Sequence, residues 1–141
     1  MSHINLAEAA LTVQRDIHDA LATDAMMQSL LGDPVRAYDH RPDSPVYPYL
    51  TYGTIRSEDT SGDAAPQATH QITLHLWSRY EGRSEVLSLL RRVCDTLRGV
   101  LPSLVIPLYT DVFLAPDGRT FHGLLRLSVT TPIPIEEETA P

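Results

Sequence analysis

The side chains in this sequence most suited to chemistry are its six histidines. A metal site needs histidine or carboxylate side chains that converge on one point. His70 and His75 are the two histidines closest in sequence, but an odd number of positions separates them in one predicted strand, so they point to opposite faces. The spacing therefore predicts no shared metal ion and no cofactor. A small metal-dependent hydrolase that uses His70, His75 or His122 with a nearby carboxylate is a remote alternative.

Other catalytic arrangements are equally hard to place on this chain. The sequence contains no nucleophile elbow, phosphate-binding glycine loop or paired-histidine zinc motif. The single cysteine, Cys94, lies beside the apolar face of a predicted helix, where a thiol usually packs. Glu58, Asp59 and Asp63 lie in a polar stretch, residues 57–69, which predicts a solvated loop that contacts a neighbour on assembly. We expect a protein that is not an enzyme.

Composition and charge restrict the class of protein further. The chain has 141 residues and a formal net charge of -7, which predicts one domain and repulsion from nucleic-acid phosphates. No apolar run is long enough to span a membrane, and the first residues lack the pattern of a secretion signal. We therefore expect a protein of the cytoplasm that makes no membrane contact.

The elements that would position these side chains follow from hydrophobic spacing. Helical spacing covers residues 5–23, 24–32 and 82–99, with Asn5, Asp24 and Ser84 as caps and Gly32 and Gly99 as stops. Strand patterns cover residues 49–56, 70–80, 108–114 and 120–131. The order ααββαββ predicts an α+β domain over residues 1–131, with a mainly antiparallel four-stranded sheet and helices packed on one face. Residues 132–141 are expected to leave the sheet as an acidic tail that extends into solvent or along a neighbour.

Exposed aromatic and arginine side chains are the best candidates for contacts with other proteins. Trp77 falls on the more solvent-exposed face of its strand. A large aromatic residue there either packs under a loop or tail of its own chain or contacts another protein, and the same two alternatives hold for Arg79 and Arg83. Asp117 and Arg119 lie in a predicted hairpin turn that they could simply form. The candidate interface residues are Glu58, Asp59, Asp63, Trp77, Arg79, Arg83, Asp117, Arg119, Pro132 and Ile133.

Several stretches, in order and spacing, resemble one protein family. These are "PVYPYLTYG", "THQITLHLWSRYEGRSEVLSLLRRV" and "DVFLAPDGRTFHGLLRLSV". Together they are similar to the tail terminator, or tail completion, proteins of long-tailed bacteriophages and gene transfer agents. The resemblance extends from the first helix to about Thr131.

The resemblance implies a structural protein of the particle, assembled in the cytoplasm of a bacterial host. Such proteins form a hexameric ring on the head-proximal end of the tail tube, stop tube growth and present the surface that joins tail to head. The implied partners are further copies of the chain, the tail tube protein and a head-tail connector or stopper protein, while DNA passes through the channel without specific binding. Another head-tail connector component, such as a stopper or head completion ring, is the main alternative.

Overall fold

The computed structural model describes residues 2–63, 65–101, 104–133 and 135–137 of the chain. These residues form an α+β fold, as the sequence predicts, although the sheet has five strands and is mixed, where four mainly antiparallel strands are expected. In chain order the elements are β1 (Ser2–Ile4), α1 (Leu6–Thr23), α2 (Ala25–Leu31), β2 (Ala37–Tyr38), β3 (Tyr49–Asp59), β4 (Gln67–Ser78), α3 (Ser84–Val100), β5 (Leu104–Leu114), β6 (Phe121–Pro132) and β7 (Ile135–Glu137).

The helix ends follow the predicted capping residues in α1 and α2. The Asn5 side chain accepts a hydrogen bond from the Glu8 N–H at 2.9 Å, and the Asp24 carboxylate accepts one from the Met27 N–H at 2.9 Å. Gly32 ends α2 with a φ of 90°, a conformation that favours glycine. The predicted ends of α3 are wrong, because Ser84, the predicted cap, is already helical and the helix continues past Gly99, the predicted stop, to Val100.

The main sheet has the strand order β2-β3-β4-β6-β5. Its four long strands pair antiparallel, as predicted, and β2 adds a short parallel strand beside β3. Ala37 and Tyr38 lie in a proline-rich segment without alternation, so the sequence gives no pattern for β2. A separate antiparallel pair joins β1 to β7, which are too short to show a strand pattern.

The predicted loop over residues 57–69 is wrong at both ends. Glu58 and Asp59 belong to β3 and Thr69 belongs to β4, so a long hairpin arm replaces most of the loop. Hydroxyl contacts hold the arm together, including one of 2.9 Å between the side chains of Thr60 and Thr69. Sequence analysis missed this arm because its buried residues, such as Ala68 and His70, do not form an alternating pattern of large apolar side chains. Asp63 lies in the bend at its tip.

The segment after Thr131 continues the fold instead of leaving it directly. Pro132 is the last residue of β6 and lies opposite Gln67. Ile133 is 5% exposed, and its N–H donates a hydrogen bond to the Pro66 carbonyl. Residues 135–137 then form β7, whereas residues 134 and 138–141 lie outside the described residues. The division of the chain at residue 131 stays a prediction.

The core lies between the three described helices and one face of the main sheet. Alternate residues of β4 and β6 point into it, and the predicted inward set of β6 is confirmed at Leu125, Leu127 and Val129. Cys94 packs at its margin, as predicted, and burial raises the pKa of its thiol. None of the helices in the described part of the chain is long and apolar enough to cross a membrane.

Candidate functional site

The face of the sheet that the helices leave uncovered carries a row of aromatic rings. The strand registers place Tyr49, Trp77, His122 and Phe113 side by side across β3, β4, β6 and β5. Trp77 stacks on His122 with 3.9 Å between ring centroids and on Tyr49 with 6.1 Å. We call these four residues the aromatic row. Trp77 therefore lies on the wetter face, as predicted, but its neighbours are cross-strand rings.

A pair of histidines extends the aromatic row. His75 Nδ1 and His122 Nε2 are 2.7 Å apart, a distance that requires one ring to donate and the other to accept. Burial, followed by charge repulsion from His75, lowers the pKa of His122 to about 4. The pair is therefore neutral at neutral pH and acts as part of the hydrogen-bonded surface.

Gly53 allows His75 to lie flat against β3. A Cβ atom at residue 53 would lie 2.7 Å from His75 Nε2 and 2.9 Å from the Thr73 carbonyl oxygen. The β3–β4 register shifts at this point, between Tyr52 and Ile55. A glycine within a strand commonly marks such a bulge or a close approach.

Arg79 closes one end of the aromatic row. Its Nε donates a hydrogen bond to Thr120 Oγ1 at 3.1 Å, and its guanidinium lies 4.2 Å from the centre of the Tyr47 ring. Arg79 also lies 3.7 Å from the Asp117 carboxylate. Trp77, Arg79 and Asp117 thus line one cleft of about 320 Å³.

Asp117 forms the turn between β5 and β6. Its carboxylate accepts hydrogen bonds from the Thr120 hydroxyl and from the backbone N–H groups of Arg119 and Thr120. These bonds, led by that of the Thr120 hydroxyl, lower the pKa of Asp117 to about 2. Asp117 therefore has a structural role in the turn, and its role in an interface stays a prediction.

The remaining candidate residues lie apart from this cleft. Arg83 packs over the Phe121 ring at 5.3 Å, at the start of α3. Glu58 pairs with Arg56 at 2.8 Å on the exposed hairpin arm, and the Asp59 carboxylate accepts a hydrogen bond from the Ser61 N–H. Ile133 is buried within its own chain. The structure therefore does not gather the predicted interface residues into one site.

His70 lies in a pocket of hydroxyl groups on the other face of β4. Its Nδ1 lies 2.7 Å from Ser57 Oγ and its Nε2 3.2 Å from Thr131 Oγ1. It is fully buried, and burial lowers its pKa. The prediction that His70 and His75 face opposite sides is confirmed. Within the described residues, no three histidine, cysteine or acidic side chains are grouped to hold a metal ion.

Sequence analysis missed the most unusual surface, which is the edge strand β5. Large apolar side chains are exposed along nearly its whole length: Leu104 at 62%, Ile106 at 46%, Leu108 at 47%, Tyr109 at 52%, Phe113 at 40% and Leu114 at 47%. An exposed apolar edge strand of this length is unusual in a monomeric protein, because such a strand can pair with a strand of another chain. The signal was present in "LVIPLYTDVFL", whose apolar residues do not alternate.

Comparisons with known proteins agree with the resemblance found in the sequence. Residues 15–131 match the family described as tail completion protein gp17. Among solved structures, the chain is similar to one from the virion of a native gene transfer agent particle, with 18% sequence identity and a TM-score of 0.68. That match covers 86% of this chain and 93% of the other. No curated protein matches the sequence.

Proposed function

The chain belongs to the tail completion protein gp17 family, whose members are structural proteins of phage-like tails, and we propose that it forms a hexameric ring at the end of the tail tube. The ring caps the head-proximal end, stops the addition of tube subunits and provides the surface that joins tail to head. Its partners are its own copies, the tube subunit and a connector or stopper protein.

The exposed apolar edge of β5 is the observation that carries the proposal. Leu104, Ile106 and Leu108 are exposed at alternate positions of β5, and no strand among the described residues pairs with the outer edge of β5. A strand edge of this kind gains free energy when another strand covers it, since both apolar area and backbone hydrogen bonds are satisfied. Such a surface supports function by assembly.

The physics of tube growth explains why a cap is needed. A tail tube is a head-to-tail stack, and contacts of that type propagate without limit. A ring stops growth if one of its faces fits the tube and the other rejects tube subunits. Discrimination between these two partners requires surfaces that repel as well as surfaces that attract.

The charge of the chain is compatible with a channel for DNA. With a formal net charge of -7, the protein as a whole does not attract phosphates. Six copies around a channel therefore let DNA pass without holding it. Assembly of the ring takes place in the cytoplasm of the bacterial host.

Particles assembled without this protein test the proposal against the alternative of a stopper or head completion ring. We expect tubes much longer than normal, seen by electron microscopy, because nothing ends their growth. Tails of normal length beside heads that have lost their DNA would instead identify a stopper. Restoring the intact chain should restore normal length in the first case.

A further inference from the structure

Building on the proposed ring, we propose that neighbouring copies join by strand pairing, with β5 of one copy beside the free part of β3 of the next. The contact continues the main sheet from copy to copy. It uses two different surfaces of the chain, so each copy offers one surface to each neighbour. A contact of that type closes into a ring when its rotation closes.

The two strands are the unpaired edges of the same sheet. Among the described residues, β5 is the last strand on one side of the sheet and pairs only with β6. On the other side β2 pairs with β3 only at Leu50 and Thr51, so β3 has no partner on that side over residues 52–59 within the described part of the chain. Both edges therefore present backbone donors and acceptors that a strand can satisfy.

The strand directions allow this pairing when neighbouring copies have the same orientation along the sheet. β3 and β4, β4 and β6, and β6 and β5 are each antiparallel, so β5 runs opposite to β3. When copies repeat along the sheet in the same orientation, β5 meets the next β3 in antiparallel pairing. Antiparallel pairs have slightly better hydrogen-bond geometry than parallel pairs.

The positions of the charged residues and of the regular stretches favour one register for the pairing of β5 with β3 of the next copy. Asp111 is the one charged residue of β5, and Arg56, whose side chain is 73% exposed, lies on the free part of β3. Placing Arg56 opposite Asp111 brings residues 55–58 beside residues 109–112. Both stretches lie beyond the irregularities at Tyr52/Ile55 and Pro107/Tyr109, where the strands are regular.

The β3 edge also offers apolar cover for the side chains of β5. A small, largely apolar recess of about 20 Å³ lies between α1 and β3, lined by Ile17, Tyr52, Ile55 and Ile72 among others. Leu11, which is 49% exposed, adds apolar surface beside Tyr52. A two-fold contact between two β5 strands would leave this recess empty and would end at a dimer.

Cysteine cross-linking tests the pairing. In a Cys94→Ala background, Glu58→Cys on β3 is combined with Tyr109→Cys on β5, and a short thiol cross-linker is added to the protein alone and with tail tubes. Both positions are exposed. The matched control combines Glu58→Cys with Leu87→Cys, because Leu87 is 49% exposed and belongs to helix α3, not to either of the two strands proposed to pair.

The proposal predicts a ladder of cross-linked species up to a closed ring for the paired variant and none for the control. Dimers from Tyr109→Cys alone would show a two-fold β5 contact and overturn it. Oligomers of the correct mass that form no cross-link would also overturn it, while leaving the ring intact. A chain that stays monomeric, both alone and at tube ends, would overturn the ring and the pairing together.

Discussion

Gly123 sets how closely α3 approaches the sheet. A Cβ atom at this position would lie 2.5 Å from Val86 Cγ2 and 3.2 Å from Leu90 Cδ1. Both of these side chains are buried in the core, so neither can move away freely. The absence of a side chain at residue 123 therefore keeps the helix in place behind the aromatic row.

We predict that Gly123→Ala lowers the free energy of unfolding by about 1–3 kcal/mol, because the added methyl group overpacks the core. Gly99→Ala is the matched control. Nothing lies within 4 Å of a Cβ at Gly99, which is within α3. Alanine there should raise the free energy of unfolding by up to about 1 kcal/mol. Urea unfolding measures both, and equal effects of the two substitutions would contradict this account.

His122 gives the fold a dependence on pH. Its pKa is about 4 in the folded chain against an ordinary 6.5, and Asp111 only partly offsets the lowering by burial and His75. Below about pH 6.5 His122 is protonated in the unfolded chain but stays neutral in the folded chain. The contribution of His122 to the free energy of unfolding is therefore complete above that pH and is lost as the pH falls towards 4.

We predict that His122→Gln reduces the loss of stability between about pH 7 and pH 4, measured by urea unfolding at several pH values. The exposed His40 provides the control, His40→Gln, which should keep the wild-type profile. Identical pH profiles for wild type and His122→Gln would show that the histidine pair does not resist protonation.

At the scale of elements, β5 should control assembly without controlling folding. We predict that Leu108→Asp weakens oligomer formation at least tenfold, since it places a charge in an apolar contact. Leu87→Asp, at similar exposure on α3, should leave assembly unchanged. Light scattering over a range of concentrations measures the mass of each variant. Loss of assembly in both variants, or in neither, would count against β5 as the contact.

The hairpin arm is expected to contact a neighbour or the adjoining ring through Glu58, Asp59 and Asp63. We predict that replacing residues 60–67 by Asn-Gly, a sequence that suits a two-residue hairpin, impairs length control of tails. A second variant keeps the arm at full length and replaces the three carboxylates by amides (Glu58→Gln, Asp59→Asn and Asp63→Asn). It distinguishes an effect of charge from an effect of arm length. Tails of normal length with the shortened arm would show that the arm makes no required contact.

Hydrophobic periodicity predicted the elements that carry large core side chains and failed where no alternation of large apolar residues marks a strand. The caps at Asn5 and Asp24 and the inward face of β6 could be predicted because local hydrogen bonds and burial fix them. β2 and the hairpin arm have no apolar alternation, so they were missed. The aromatic row was invisible because strand register, which the sequence does not state, brings Trp77 beside His122.

At the scale of the whole molecule, the protein is a structural tail component whose main sheet, within the described residues, has two open edges and one face that no helix covers. The open edges allow each copy to pair with its two neighbours in a ring. The remaining surfaces are available to the tail tube protein and to the connector or stopper protein. Function is then distributed over surfaces.

The most direct test of capping is to add the purified protein to tail tubes that are growing from purified tube subunits. We predict that tubes stop lengthening after addition, as measured by electron microscopy, and that one ring lies at one end of each tube. Leu87→Asp should act like the wild type, and Leu108→Asp should fail to stop growth. Tubes that continue to lengthen with the wild-type protein in excess would contradict the account.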